Sequence, residues 1–190
     1  MSKEFRFPKI LLIFKSLMFC LVIIKTQLGS SALADERLKT DCHNTLEKAR
    51  LWIRATDFNA PEEEKTRVKS AINIANQACR LAKESAPDDG EVLVNSAYAL
   101  FAAEKKKEAV KLIQEASEIG YPPAMVMMAR YLGQGKYMEK DSEGAWLLLI
   151  KTLKTKHDVA RIQAALEFLP GGVGSENTKR AKSTLRGLIN

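Results

Sequence analysis

A chain of 190 residues, 46% of them apolar, has the length of one domain with room for a leader. Its formal charge of +7 reads as basic, but residues 1–34 hold five Lys/Arg and one Glu, and the remainder carries 25 basic and 22 acidic side chains, about +3. That is a mixed, solvated surface, and it argues against a nucleic-acid partner.

Residues 1–34 have the plan of a cleavable signal peptide. Lys3, Arg6 and Lys9 precede the apolar run Ile10 to Ile24, which Lys15 and Ser16 interrupt. Lys25 and a small-residue stretch follow, ending Ser31-Ala32-Leu33-Ala34, so cleavage is expected after Ala34. The alternative is an uncleaved anchor, since the leader is long and carries Lys25 late; against it, the run is short for a membrane span once Lys15 breaks it. Cys20 is a poor lipid-attachment site, because bulky Phe19 precedes it and the apolar run continues past it. Residues 35–190 then form the domain.

The first helix of that domain is expected over Asp41 to Thr56, with Cys42, Leu46, Ala49 and Ile53 stepping by four, three and four along one apolar stripe. Pro61 suits a first helical turn, and Glu62, Glu63 and Glu64 suit the positive end of a helix dipole. The second helix runs to about Ser85 on the stripe Val68, Ile72, Ala75, Cys79 and Ala82. Once the leader is removed, Cys42 and Cys79 are the cysteines left, and their midpoint falls at Ala60–Pro61, where the hairpin turns. An antiparallel hairpin sets them opposite each other, and export favours a disulfide. It closes a loop of 38 residues, worth about 4 kcal/mol in the chain-entropy model. The alternative is two buried free thiols.

Ala86-Pro87-Asp88-Asp89-Gly90 is the next break. Helices follow from Glu91 to Ala103 and, after a turn near Lys105 to Lys107, to about Ser117. Gly120, Tyr121, Pro122 and Pro123 interrupt again. Further helices are expected from Pro123 to Leu132, from Asp141 to Lys154, from Asp158 to before Pro170, and from Ser175 to about Ile189. That is eight helices in four pairs, with no run alternating well enough for a strand.

The pairs repeat. A shift of 36 residues places Ala124 on Ala160, Ala129 on Ala165, Leu132 on Phe168, Gly135 on Gly171, Ala145 on Ala181 and Leu149 on Leu185. The reverse shift places Ala145 on Ala109, Leu148 on Leu112 and Leu149 on Ile113. Small residues recur where helices approach closely, and larger apolar residues recur a turn later, as in stacked repeats. Within Gly120 to Lys151, Ala124, Met128-Ala129, Gly135, Met138, Asp141, Ala145 and Lys151 keep a recognisable register, with Leu132, Tyr137 and Leu148 departing from it. This register resembles the Sel-like repeat, a relative of the tetratricopeptide repeat, with Tyr137 standing where the family's second Gly is usual. Upstream, Ala97, Ala109 and Ala116 fit the small-residue spacing of a tetratricopeptide repeat. The resemblance implies an all-α fold: a short right-handed α-solenoid of about four helix-turn-helix pairs.

Few residues suggest chemistry. His43 beside Cys42 lacks the four-ligand spacing of a zinc site. His157-Asp158 are sequence neighbours that point apart at a helix start, and Asp158 reads as a cap. Gly171-Gly172-Val173-Gly174 follows a helix, not a strand, and lacks the Lys-Ser/Thr of a phosphate loop. No catalytic residue, metal or cofactor is expected.

The resemblance instead implies a concave groove lined by the first helix of each pair. Its candidates are Glu91, Val94, Tyr98 and Phe101 on one helix, and Val126, Met127, Arg130 and Tyr131 on the next. Aromatics, Met and Arg are enriched at hot spots; the alternative is that Tyr98 and Phe101 pack the core. Trp52 and Trp146 are expected in the core. The expected function is a non-enzymatic, exported adaptor, periplasmic or secreted from a bacterium, binding a protein or peptide of unknown identity. A membrane enters only if the leader is retained. The chain holds no N-x-S/T sequon, which points the same way. A cell-wall glycan-binding module is the rival.

Overall fold

A computed structural model describes residues 9–57, 59–175 and 178–187, with side chains in the first helix described from residue 32 on. Lys3 and Arg6 of the leader, the side chain of Leu185 and the expected helix end at Ile189 lie outside the described residues. The described part is all-helical: α1 (Lys9–Ala55), α2 (Glu62–Ser85), α3 (Gly90–Ala102), α4 (Lys106–Glu118), α5 (Pro122–Gln134), α6 (Ser142–Leu153), α7 (Asp158–Leu166) and α8 (Thr178–Gly187). Among the described residues, no helix is long and apolar enough to cross a membrane.

Local chemistry sets the boundaries. Pro61 precedes α2, whose first turn holds Glu62, Glu63 and Glu64. Asp89 caps α3, its carboxylate accepting from the backbone N–H of Glu91 and Val92. Asp141 does the same for α6 at Gly144. α7 is capped one residue earlier than expected: Nδ1 of His157 accepts from Ala160 N–H at 3.2 Å, while Asp158 sits in the first turn, 3.3 Å from Arg161. α5 ends at Gly135, whose φ of 66° is left-handed. Two non-glycine residues share that region, Glu104 at 61° and Tyr137 at 71°.

Each helix from α1 to α6 packs against its successor, and α1 also touches α3, as α5 touches α7. α4 and α6 start at Lys106 and Ser142, and α5 and α7 at Pro122 and Asp158, each pair of starts 36 residues apart, whereas α2 starts at Glu62, 44 residues before α4. The matched small residues Ala109, Ala145 and Ala181 are all buried, as are Ala124 and Ala160. Three buried clusters result. One joins Leu46, Ala75 and Ala82 to Val92 and Ala99 of α3. The second unites α3, α4 and α5 around Ala97, Ile113 and Met128. The third unites α5 to α8 around Val126, Leu149, Ala164 and Ala181.

The cysteines are joined. Cys42 and Cys79 have their sulfurs 2.05 Å apart and link α1 to α2 inside the first cluster. Cys42, Leu46 and Ala49 keep the predicted stripe, but Ile53 leaves it and is exposed. α1 also begins earlier than expected and is continuous across Ala34. Leu33 is 75% exposed, whereas Leu38 packs on the first cluster. From Asp35 on the helix is tied to the body: Ser85 Oγ donates to Asp35, and Lys39 Nζ lies 2.5 Å from Asp89. Trp146 is buried as expected, edge-on to Phe168 at 4.7 Å. Trp52 is only half-buried, on the outer side of the α1–α2 pair.

Candidate functional site

The eight candidate residues divide. Val94 and Val126 are 7% and 1% exposed and belong to the second and third clusters, so they pack the core instead of presenting a surface. Glu91 is exposed on the first turn of α3. Tyr98, Phe101, Met127, Arg130 and Tyr131 are half-buried.

Four of these meet across two helices. Tyr98 of α3 donates its hydroxyl to Met127 Sδ of α5 at 3.6 Å. Phe101 stands edge-on to Tyr131, with ring centroids 6.5 Å apart. Tyr137, in the α5–α6 loop, completes the group at 5.9 Å from Phe101 and 5.2 Å from Tyr131. Such tilted and edge-on pairs suit the ring quadrupole and add about 0.5–1.5 kcal/mol each beyond buried area. Cations border the group: the Arg50 guanidinium lies 4.3 Å from the Tyr98 ring centre, and Lys136 Nζ 5.1 Å from that of Tyr137. Burial pushes the Tyr131 phenol up to about 12, so it stays a neutral donor at physiological pH.

Arg130 serves another joint. Its Nε lies 2.5 Å from Glu167 Oε1, tying α5 to the end of α7, while Glu167 Oε2 accepts from Val173 N–H at 3.2 Å. It is a strut between neighbouring helices.

The surface has a further part that the sequence reading passed over. Val159, Ile162, Leu166 and Leu169, on α7 and the turn after it, are 61, 62, 54 and 47% exposed. They keep the spacing of Glu91, Val94, Tyr98 and Phe101, shifted by 68 residues. The stripe is legible in the sequence as steps of three, four and three. In α3 the second position of the stripe, Val94, is buried; in α7 it is Ile162 and lies open. The first helices therefore carry a partly apolar face that is aromatic at α3 and α5 and aliphatic at α7. An exposed cluster of four large aliphatic side chains marks a surface that gains by being covered.

No family model, no curated protein and no solved structure matches this chain.

Proposed function

We propose that the chain is a non-enzymatic, exported adaptor of the Sel-like repeat kind, a short α-solenoid that holds a segment of a protein partner against its first helices. The observations that carry this reading are the half-buried group of Tyr98, Phe101, Met127 and Tyr131 and the exposed Ile162 and Leu166 of α7. Tyr is among the residue types that dominate binding energy elsewhere, and Phe and Met are enriched at interfaces. The repeat reading is supported by the 36-residue spacing between the starts of α4 and α6 and between those of α5 and α7. It is supported again by Tyr137, which holds a left-handed backbone where the family pattern has Gly.

The test is capture of a partner from an envelope extract with the chain as bait, repeated with two variants. Tyr98→Ala/Phe101→Ala opens the aromatic end, and Leu166→Asp places a charge on the aliphatic end. A partner retained by the parent chain and lost by both variants, with helical content unchanged in circular dichroism, supports the adaptor. Equal capture by all three rejects the face as the binding surface.

The continuity of α1 through Ala34 favours a second reading, in which the leader stays attached and tethers the chain to a membrane. The mass of the exported chain separates the two: loss of residues 1–34 removes the tether.

A further inference from the structure

A cavity of about 410 Å³ opens where α2 meets α3 and α4. On α3 it is lined by Ser96, Leu100 and Ala103. At about 100° per residue these lie on the side of the helix opposite Tyr98 and Phe101, so the cavity is separate from the adaptor face. Its volume is within the range of small-molecule sites, roughly 300–1,000 Å³.

Beside the buried Ala75, Cys79 and Ala82, which pack the same helix onto its neighbours, the wall that α2 contributes is polar: Asn73, Asn76, Gln77, Arg80 and Lys83 line the cavity. Their spacing puts three carboxamides and then two cations along one helix face. Lys105 and Glu108 line the cavity from the start of α4. Three cations thus face one carboxylate. Arg80 is engaged by Glu84 at 2.7 Å, but among the described residues Lys83 and Lys105 have no ion-pair partner, although the adjacent Lys106 is paired with Glu104. Asn76 spends its N–H on Ile72 O at 3.1 Å and keeps its amide oxygen free to accept. Leu100 and Leu112 supply apolar wall.

We propose that this cavity binds a small organic anion with a hydrogen-bonding body. Its carboxylate or phosphate lies between Lys83 and Lys105, and its polar groups meet the carboxamides of Asn73, Asn76 and Gln77. Cations left unpaired across a cleft cost little in solvent and gain charge-assisted hydrogen bonds when an anion enters.

The test is a titration of the full chain followed by backbone amide resonances, with glucuronate, glucose 6-phosphate and uncharged glucose as probes and chloride matching the ionic strength. Saturable shifts at Gln77, Ser96 and Lys105 with either anion, and none with glucose, support the site; which anion binds tells carboxylate from phosphate. The variant Lys83→Gln/Lys105→Gln then binds at least about tenfold more weakly, since each bond to a charged group contributes about 1.5–3 kcal/mol. Lys111→Gln, on α4 away from the cavity lining, leaves affinity unchanged. The proposal is overturned if neither anion gives saturable shifts, if chloride or glucose reproduces them, or if the double variant binds like the parent.

Discussion

Asp89 does two jobs with one carboxylate. It caps α3 through the N–H groups of Glu91 and Val92, and it meets Lys39 of α1. Burial pushes its pKa up, but the Lys39 hydrogen bond and the two N–H bonds together outweigh that, so the net shift is downward. A carboxylate with a depressed pKa contributes stability that is present above the unfolded value of about 3.9 and is lost as pH falls through the folded value. Asp89→Ala is expected to cost about 1 kcal/mol near neutral pH from the lost cap, and to flatten the fall in stability below about pH 4. Urea midpoints of the two proteins across that range read both effects, and parallel curves would reject the assignment. Glu104 runs the other way. Its left-handed φ of 61° strains an L-residue, and its side chain is exposed with only a surface pair to Lys106. Glu104→Gly removes strain of roughly 1–2 kcal/mol against the extra backbone freedom of glycine in the unfolded chain. A gain of about 0.5–1 kcal/mol is expected, visible as a higher thermal midpoint; a lower one would show that the turn is unstrained.

At the scale of helices, contact depends on how closely backbones approach. Gly90, the first residue of α3, lies so near Tyr121 at the start of α5 that an added Cβ would stand 2.4 Å from the Tyr121 Cβ. Helix propensity alone makes Gly→Ala favourable by up to about 1 kcal/mol. Here overlap with an atom close to the backbone decides the sign, and Gly90→Ala is expected to destabilise by about 1–3 kcal/mol. A double-mutant cycle with Tyr121→Gly checks the cause: the second change recovers most of the loss if the clash produces it, and adds to it if it does not. The same dependence on approach explains what the sequence could reveal. Buried stripes such as Leu46–Ala49 and Ala75–Cys79–Ala82 follow from spacing alone, and the disulfide follows from the hairpin they define. Spacing shows which positions share a face but not how wide the buried sector is, so Val94 and Val126 read as surface when neighbouring helices cover them. Conversely, Val159, Ile162, Leu166 and Leu169 have the periodicity of a core stripe, and only the packing around α7 reveals that they lie open. The helix cap moved by one residue, to His157, because imidazole and carboxylate can both accept the same orphan N–H.

For the whole molecule, the question is how far stability at one end depends on the other. The cluster around the disulfide holds residues of α1, α2 and α3, and the cluster around Leu149 holds residues of α5 to α8, with no member in common. In such a chain of neighbouring contacts, stability is close to a sum of local and interface contributions. The disulfide joins positions 37 apart in sequence and lies wholly within the first pair of helices. Replacing it by Cys42→Ala/Cys79→Ala frees that loop in the unfolded state, at a cost of about 4 kcal/mol in the chain-entropy model. The loss should fall on the amides of α1 and α2, and in part on those of α3 that share their cluster, while amides at Met125, Leu149 and Ala164 keep their protection in hydrogen exchange. A uniform fall in protection from α1 to α7 would instead mark one cooperative unit. Packing of each helix on its neighbours would then describe the contacts of the chain but not the way its stability is distributed.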